Sequence, residues 1–242
     1  YPDGTAESFE YDAGNQRSAF VDKLGNRTAY EYDAAGNLTK QTRFDGASQI
    51  YTYNAQNKPA SFTDYAGKTT RYEYNEAGDM TAVIYNDGTQ NTFTYDANHN
   101  PITMTDAMGG KTAYAYDAVG NVTSVTDALG GSTTYRYDET GNMTSATDAN
   151  GNTTGYSYDA LGRAVAVTDA NGGVTRAEYD HNGNIVKAVD AEGNATTYVY
   201  DALDRLASYT NAEGYTFSFQ YDNEGNTVSS TDGNGNTTRY TY

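Results

Sequence analysis

The chain has 242 residues, with no cysteine, no tryptophan and only three prolines. Without cysteine there is no disulfide scaffold, no thiolate zinc site and no cysteine nucleophile. Three prolines exclude a collagen-like chain. Leu, Ile, Val and Phe number 29 in all, and no run approaches the ~18 apolar residues of a membrane helix. Lysine and arginine total 15 against 32 acidic residues, a net charge of −17. Such a surface repels nucleic acid, polyanionic sugars and anionic lipid. Neither a nucleic-acid partner nor membrane insertion is expected. Low aliphatic content with high charge ordinarily reads as disorder. Here 25 tyrosines and 25 glycines offset that prior, because they stand in a strict pattern.

Tyrosine occupies 11, 32, 53, 74, 95, 116, 137, 158, 179, 200, 221 and 242, always 21 residues apart. Two positions earlier stands another aromatic residue in every copy but one, where the residue is Ala177. Asp or Asn follows the second tyrosine. Glycine fills one further column without exception, from Gly4 and Gly25 through Gly109, Gly130, Gly151 and Gly172 to Gly235. A column held by glycine alone implies a positive φ or a close backbone approach. A second turn column reads Asn15, Gly36, Asn57, Gly78, His99, Gly120, Gly141, Gly162, Gly183, Asp204 and Gly225. These residue types best tolerate the left-handed region. Each repeat therefore holds two tight turns about half a repeat apart.

Between the turns the chain reads as strand. Thr112, Tyr114 and Tyr116 alternate on one face, with Lys111, Ala113 and Ala115 on the other. The return strand Val122–Asp127 has apolar residues three apart, so a bulge near the turn, or cover on both faces, is expected. No stretch carries a helical period. The fold class is all-β: tandem 21-residue hairpins in one continuous antiparallel sheet. In this arrangement tyrosines are expected to stand beside tyrosines as ladders, and the turn aspartates to accept backbone N–H groups.

The pattern Tyr-x-Tyr-Asp-x-x-Gly-Asn runs clearly from Tyr114 to Gly130 and, with Arg163 in the Asn position, from Tyr156 to Gly172. It resembles the YD repeat of the Rhs family, and the resemblance covers the whole chain. Relatives of that family include Rhs polymorphic toxins, Tc toxin shells, wall-associated bacterial proteins and teneurins. The resemblance implies a spiralling sheet that builds a shell or tube, secreted or at the cell surface. In toxins such a shell encloses a C-terminal effector. The Pro- and Asp-rich plug segment of those shells is not found here, so no cleavage residues carry over. Residues 1–242 are expected to form one array of about eleven and a half repeats, a fragment of a longer chain. About 23 strands at ~4.8 Å spacing would run to roughly 110 Å of sheet. The exposed sheet edges are expected to pair with flanking repeats or another copy.

A catalytic constellation is not apparent. His99 sits in the left-handed turn column and His181 follows the repeat Asp180. No Ser-His-Asp set can be assigned, and the carboxylate pairs recur with the repeat instead of forming one distinctive pair. The segments starting at Asp148, Asp180, Asp222 and Asp232 resemble half a calcium loop but lack its distal Glu. No enzyme activity, metal or cofactor is expected. The residues expected to carry the structural role are Tyr32, Tyr116, Tyr137, Tyr158 and Tyr200, with Asp117, Asp138 and Asp159, and Gly109, Gly130, Gly151 and Gly172. An adhesion or glycan-binding surface is the alternative, for which the out-of-column Tyr65, Tyr85, Tyr209 and Tyr215 would be the candidates.

Overall fold

Aromatic and β-branched residues with a turn signal every ten or eleven residues leave the chain little choice but short strands. The computed structural model describes residues 6–242, and among them it contains strands and turns but no helix. Gly4 and the flanking Tyr1 lie outside the described residues.

The chain divides into two units, the first running to Ala115 and including Thr126–Gly130, the second holding Tyr116–Val125 and Gly131–Tyr242. The first unit builds on β1 (Ser8–Tyr11), β2 (Arg17–Val21), β3 (Arg27–Tyr32), β4 (Leu38–Thr42), β5 (Ser48–Tyr53), β6 (Pro59–Thr63), β7 (Thr69–Tyr74), β8 (Met80–Ile84), β9 (Gln90–Tyr95), β10 (Pro101–Thr105) and β11 (Lys111–Tyr116). The last residue of β11, Tyr116, falls in the second unit, and a further strand, β12 (Val122–Thr126), is likewise divided between the units. The second unit holds β13 (Ser132–Tyr137), β14 (Met143–Thr147), β15 (Thr153–Tyr158), β16 (Ala164–Thr168), β17 (Val174–Tyr179), β18 (Ile185–Val189), β19 (Ala195–Tyr200), β20 (Leu206–Thr210), β21 (Thr216–Tyr221), β22 (Thr227–Thr231) and β23 (Thr237–Arg239). Within each unit every strand pairs antiparallel with its neighbour in sequence. Each repeat is one hairpin of a six-residue outgoing strand and a five-residue return strand.

The bulge expected from the return strand is present. Arg136 faces Ser145 while Tyr137 faces Met143, so Thr144 is the extra residue. The same shift recurs at Ser157/Tyr158, Glu178/Tyr179, Val199/Tyr200 and Gln220/Tyr221, and likewise at the tyrosine ending β1, β3, β5, β7 and β9. It resets the pleat, which is why apolar residues three apart share a face.

The register also steps from repeat to repeat. Arg136 lies level with Ser145, and Ser145 with Gly155. Gly155 corresponds to Thr134, one repeat back. Equivalent positions thus advance two residues, about 6.6 Å, for every two strands, about 9.6 Å across the sheet. The repeat columns run obliquely, at a slope of roughly 35° to the line across the strands.

The two faces differ chemically. One carries the aromatic columns opposite mixed, mainly apolar residues, as in Tyr72 facing Val83, Phe93 facing Met104 and Tyr156 facing Val167. The other is mainly polar, with hydroxyl pairs such as Thr63–Thr69 at 2.8 Å, Thr94–Thr103 at 2.6 Å and Thr147–Thr153 at 2.8 Å, and ion pairs such as Lys187–Glu178 at 2.9 Å. Within a unit, strands touch only their sheet neighbours. Within a unit no second layer covers the aromatic face, and among the described residues only Ala19, Gly78, Ala82 and Ser229 are buried. Most tyrosines are half-buried. Ladder hydrogen bonds, side-chain pairs and turns therefore hold each unit together, in place of the two-layer core of an ordinary domain.

Candidate functional site

The recurring unit of chemistry is the turn. In residues 148–152, the Gly151 N–H donates to the Asp148 carbonyl at 3.0 Å and the Asp148 N–H to the Asn152 carbonyl at 2.9 Å. This is a type I turn closed by a residue in the left-handed region, a three-residue hairpin loop. The Asp148 side chain completes it. Its Oδ1 accepts the N–H groups of Asn150 and Asn152 at 2.9 and 2.8 Å, and its Oδ2 accepts the Asn152 side-chain amide at 2.8 Å. The turn at the other end of the hairpin is built alike. Asp117 accepts the N–H groups of Val119 and Asn121 and the Asn121 amide. Asp159 accepts the N–H groups of Leu161 and Arg163 and, at 2.7 Å, the Arg163 Nε. Asp138 gains an extra donor, the Thr140 hydroxyl at 2.7 Å, which with Asn142 holds its carboxyl down at about 2. The carboxyls of Asp117, Asp148, Asp180, Asp190, Asp222 and Asp232 also lie below their ordinary value, chiefly through the asparagine four residues on.

Gly109, Gly130, Gly151 and Gly172 have φ of 86°, 87°, 86° and 88°. A Cβ placed on any of them would meet nothing within 4 Å. Of the two sequence-level explanations for this column, positive φ is the one realised; close backbone approach is not. The second column uses the same turn, with Asn15, Asn57, His99 and Asp204 at φ of 58–66°.

The tyrosine columns make a different ladder from the one expected. Copies of one column lie two strands apart, about 9.6 Å, with a return strand between. The ring pairs among the described residues fall elsewhere, as in Phe9–Phe20 and Tyr51–Phe62. The repeat tyrosine instead reaches back with its hydroxyl. Tyr158 donates to the Met143 carbonyl at 2.8 Å, Tyr137 to Val122 at 2.9 Å and Tyr32 to Arg17 at 3.0 Å. Tyr53, Tyr74, Tyr95, Tyr179, Tyr221 and Tyr242 repeat this link. The acceptor always precedes the bulged residue, where the ladder is interrupted. Each hairpin's tyrosine thus serves a carbonyl of the hairpin before it. Tyr116 ends β11 in the same column. Tyr200 makes no such bond, though partial burial still pushes its hydroxyl up.

Arg163 and Arg205 were not singled out by sequence reasoning. They stand where six of the other nine copies have asparagine. Arg163 binds Asp159, stacks over the Tyr179 ring at 4.7 Å and donates to the Asp180 carbonyl at 2.8 Å. Arg205 does the same with Asp201, Tyr221 and Asp222. The signal was available: both are cations four residues after an aspartate and sixteen before a tyrosine. His99 takes the left-handed position and also binds Asp79 of the preceding repeat at 2.8 Å. Tyr65 accepts from the Gln41 amide at 2.8 Å and lies under the Arg43 guanidinium. Tyr85 takes a turn position ordinarily held by aspartate. Tyr209 stacks on Phe217 at 4.7 Å, and the Tyr215 N–H donates to Asn211. Among the described residues no three or more His, Asp or Glu side chains converge as a metal-binding group. In the calcium-like segments beginning at Asp148, Asp180, Asp222 and Asp232, the first carboxylate is engaged by the turn itself.

Fold and site define a tandem β-hairpin repeat protein, held repeat to repeat by side-chain links. The RHS Repeat family model matches residues 13–48, 53–90, 95–130, 116–153, 137–174 and 179–216, and the chain belongs to that family. No curated protein matches it. Among solved structures, the crystal structure of TcdB2-TccC3-TEV is similar at a TM-score of 0.67 and 18% identity, over 93% of this chain and 15% of that one. The Photorhabdus luminescens Tc holotoxin pore aligns at a TM-score of 0.49 and 16% identity, over 97% of this chain and 18% of that one. The chain thus spans less than a fifth of the length of these structures.

Proposed function

We propose that the chain is a structural wall segment, one array of a longer protein whose sheet curves into a shell or tube enclosing or displaying other domains. The observation that carries this is the single-layer sheet with two unlike faces, one aromatic and one polar with hydroxyl and ion pairs. A wall needs two faces, whereas an ordinary domain buries one. Membership of the RHS Repeat family and the fold likeness to a Tc toxin structure support the same reading. So does the oblique stagger of two residues per repeat, since sheets that close on themselves require such shear. The tyrosine, aspartate and glycine columns are the mechanical elements, and no catalytic role is assigned to any residue. The role fits a secreted or surface protein in which net charge of −17 keeps the wall soluble. Flanking repeats, or other copies, would meet the sheet edges, and an enclosed effector domain is the partner this reading favours. Electron microscopy of the longest natural chain carrying the array tests it. A hollow particle with internal density is the expected result. An extended fibre with nothing enclosed would overturn enclosure and leave a display stalk.

A further inference from the structure

One repeat departs from the aromatic face. In the second unit Ala177 replaces the ring that every other copy carries at this column, and it faces Ala188. Elsewhere the two positions are filled by Phe9 and Phe20, Tyr51 and Phe62, Tyr72 and Val83, or Tyr198 and Tyr209. Even where the partner is small, as Ala146, a tyrosine stands opposite it. Only at 177 and 188 are both residues alanine among the pairs described. An open notch of 390 Å³ lies here, lined by Ala164, Val167, Thr175, Ala177, Ala188 and Thr196, among others. Thr175 is exposed there, while Thr133, Thr154 and Thr196 of the same column are half-buried.

We propose that this notch is a binding slot for the aromatic side chain of a bound polypeptide, a tyrosine or phenylalanine ring that completes the interrupted column. The other copies specify the occupant, because they fill the equivalent place with Phe or Tyr side chains of the chain itself. The floor is apolar and small, with Ala177, Ala188 and Val167 beneath the ring. Thr175 and Thr196 offer hydroxyls at its margin, suited to a phenol. The inference stands on the repeat geometry and does not depend on the shell reading.

The test is NMR of the intact chain labelled at alanine methyls, titrated with p-cresol and with the capped peptide acetyl-Gly-Tyr-Gly-amide. The expected result is saturable shifts at Ala177 and Ala188, leaving the turn alanines Ala149 and Ala170 unmoved, with the peptide binding at least as tightly as p-cresol. Ala177→Tyr fills the slot from within. It should weaken both probes at least tenfold and raise the thermal midpoint. No shift at Ala177 and Ala188 would overturn the slot, as would shifts spread evenly over the chain. Binding of p-cresol with exclusion of the peptide would overturn the polypeptide as the source of the ring. Should Ala177→Tyr fail to fold, Ala188→Leu closes the same notch from the opposite strand, and undiminished probe binding in that variant would be equally fatal.

Discussion

At the scale of single residues, the turn divides its work between a glycine and an aspartate. Gly130 lies at φ 87° in open space, so any cost of replacing it is conformational, without a clash. Valine at positive φ is a severe outlier, whereas asparagine tolerates it, as Asn15 and Asn57 do in the sister column. Gly130→Val should cost about 1–3 kcal/mol and Gly130→Asn under about 1 kcal/mol, read by hydrogen exchange of the turn amides. Equal effects of the two would refute the conformational account. The aspartate introduces a pH dependence. Asp138 is held at about 2 by the Thr140 hydroxyl and Asn142, below the unfolded value near 3.9. A depressed carboxyl contributes stability that is full above the unfolded value and is lost as pH falls through the folded one. Protection of this turn should therefore fall between about pH 4 and pH 2. Asparagine occupies the same position at Asn54 and its Oδ1 accepts the same N–H groups. Asp138→Asn should thus keep the turn at neutral pH and flatten its acid response, as followed by amide exchange against pH.

At the scale of the hairpin, the bulge and the tyrosine act as a pair across repeats. The bulge leaves a carbonyl outside the regular ladder, and the next hairpin's phenol supplies its donor. Tyr158→Phe removes the 2.8 Å bond to Met143 while keeping the ring. It should cost about 0.5–1.5 kcal/mol and raise exchange in β14 more than in β15 itself. Tyr200 provides an internal control, since it makes no such bond. Tyr200→Phe should leave β18 unaffected, and parity between the two variants would show the hydroxyl link to be immaterial. The hairpin was legible in the sequence because 21 residues with two left-handed columns leave room only for two short strands. The turn aspartates were legible too, since Asp followed by Gly three residues on has a local meaning that needs no tertiary knowledge. The hydroxyl link was not. It depends on which carbonyl the bulge frees and on the oblique stagger, and both are properties of pairing between repeats. The Arg163 and Arg205 bridges escaped for the same reason: their partners lie 16 and 17 residues away, on the next hairpin.

At the scale of the whole chain, stability is distributed, because the described residues include no fully buried large side chain and each strand rests on its neighbours within its unit. Such an array behaves as a sum of repeat and nearest-neighbour contributions. A consequence is that length should be adjustable in whole repeats and in nothing smaller. Removing residues 138–158 joins Tyr137 to Asp159 and restores the Tyr-Asp junction, so β13 now leads into the turn of residues 159–163 and pairs with β16. All the links between hairpins find equivalent partners, with Tyr179 still reaching Ala164 and Arg163 still reaching Asp180. This variant should fold with unchanged ellipticity per residue and exchange protection intact on both sides of the junction. Removing residues 138–148 instead deletes one strand. It leaves one turn, at residues 149–152, to join β13 to β15, so two outgoing strands must pair as a hairpin without the bulged return strand between them, and every later strand takes its partner's place, out of register with the tyrosine links. Protection should then be lost in the hairpins flanking the junction. Circular dichroism and hydrogen exchange on the two deletions decide the matter. If both fold equally well, the hairpin is not the unit of assembly. If neither folds, stability resides in a long-range feature that the repeat-to-repeat links do not supply.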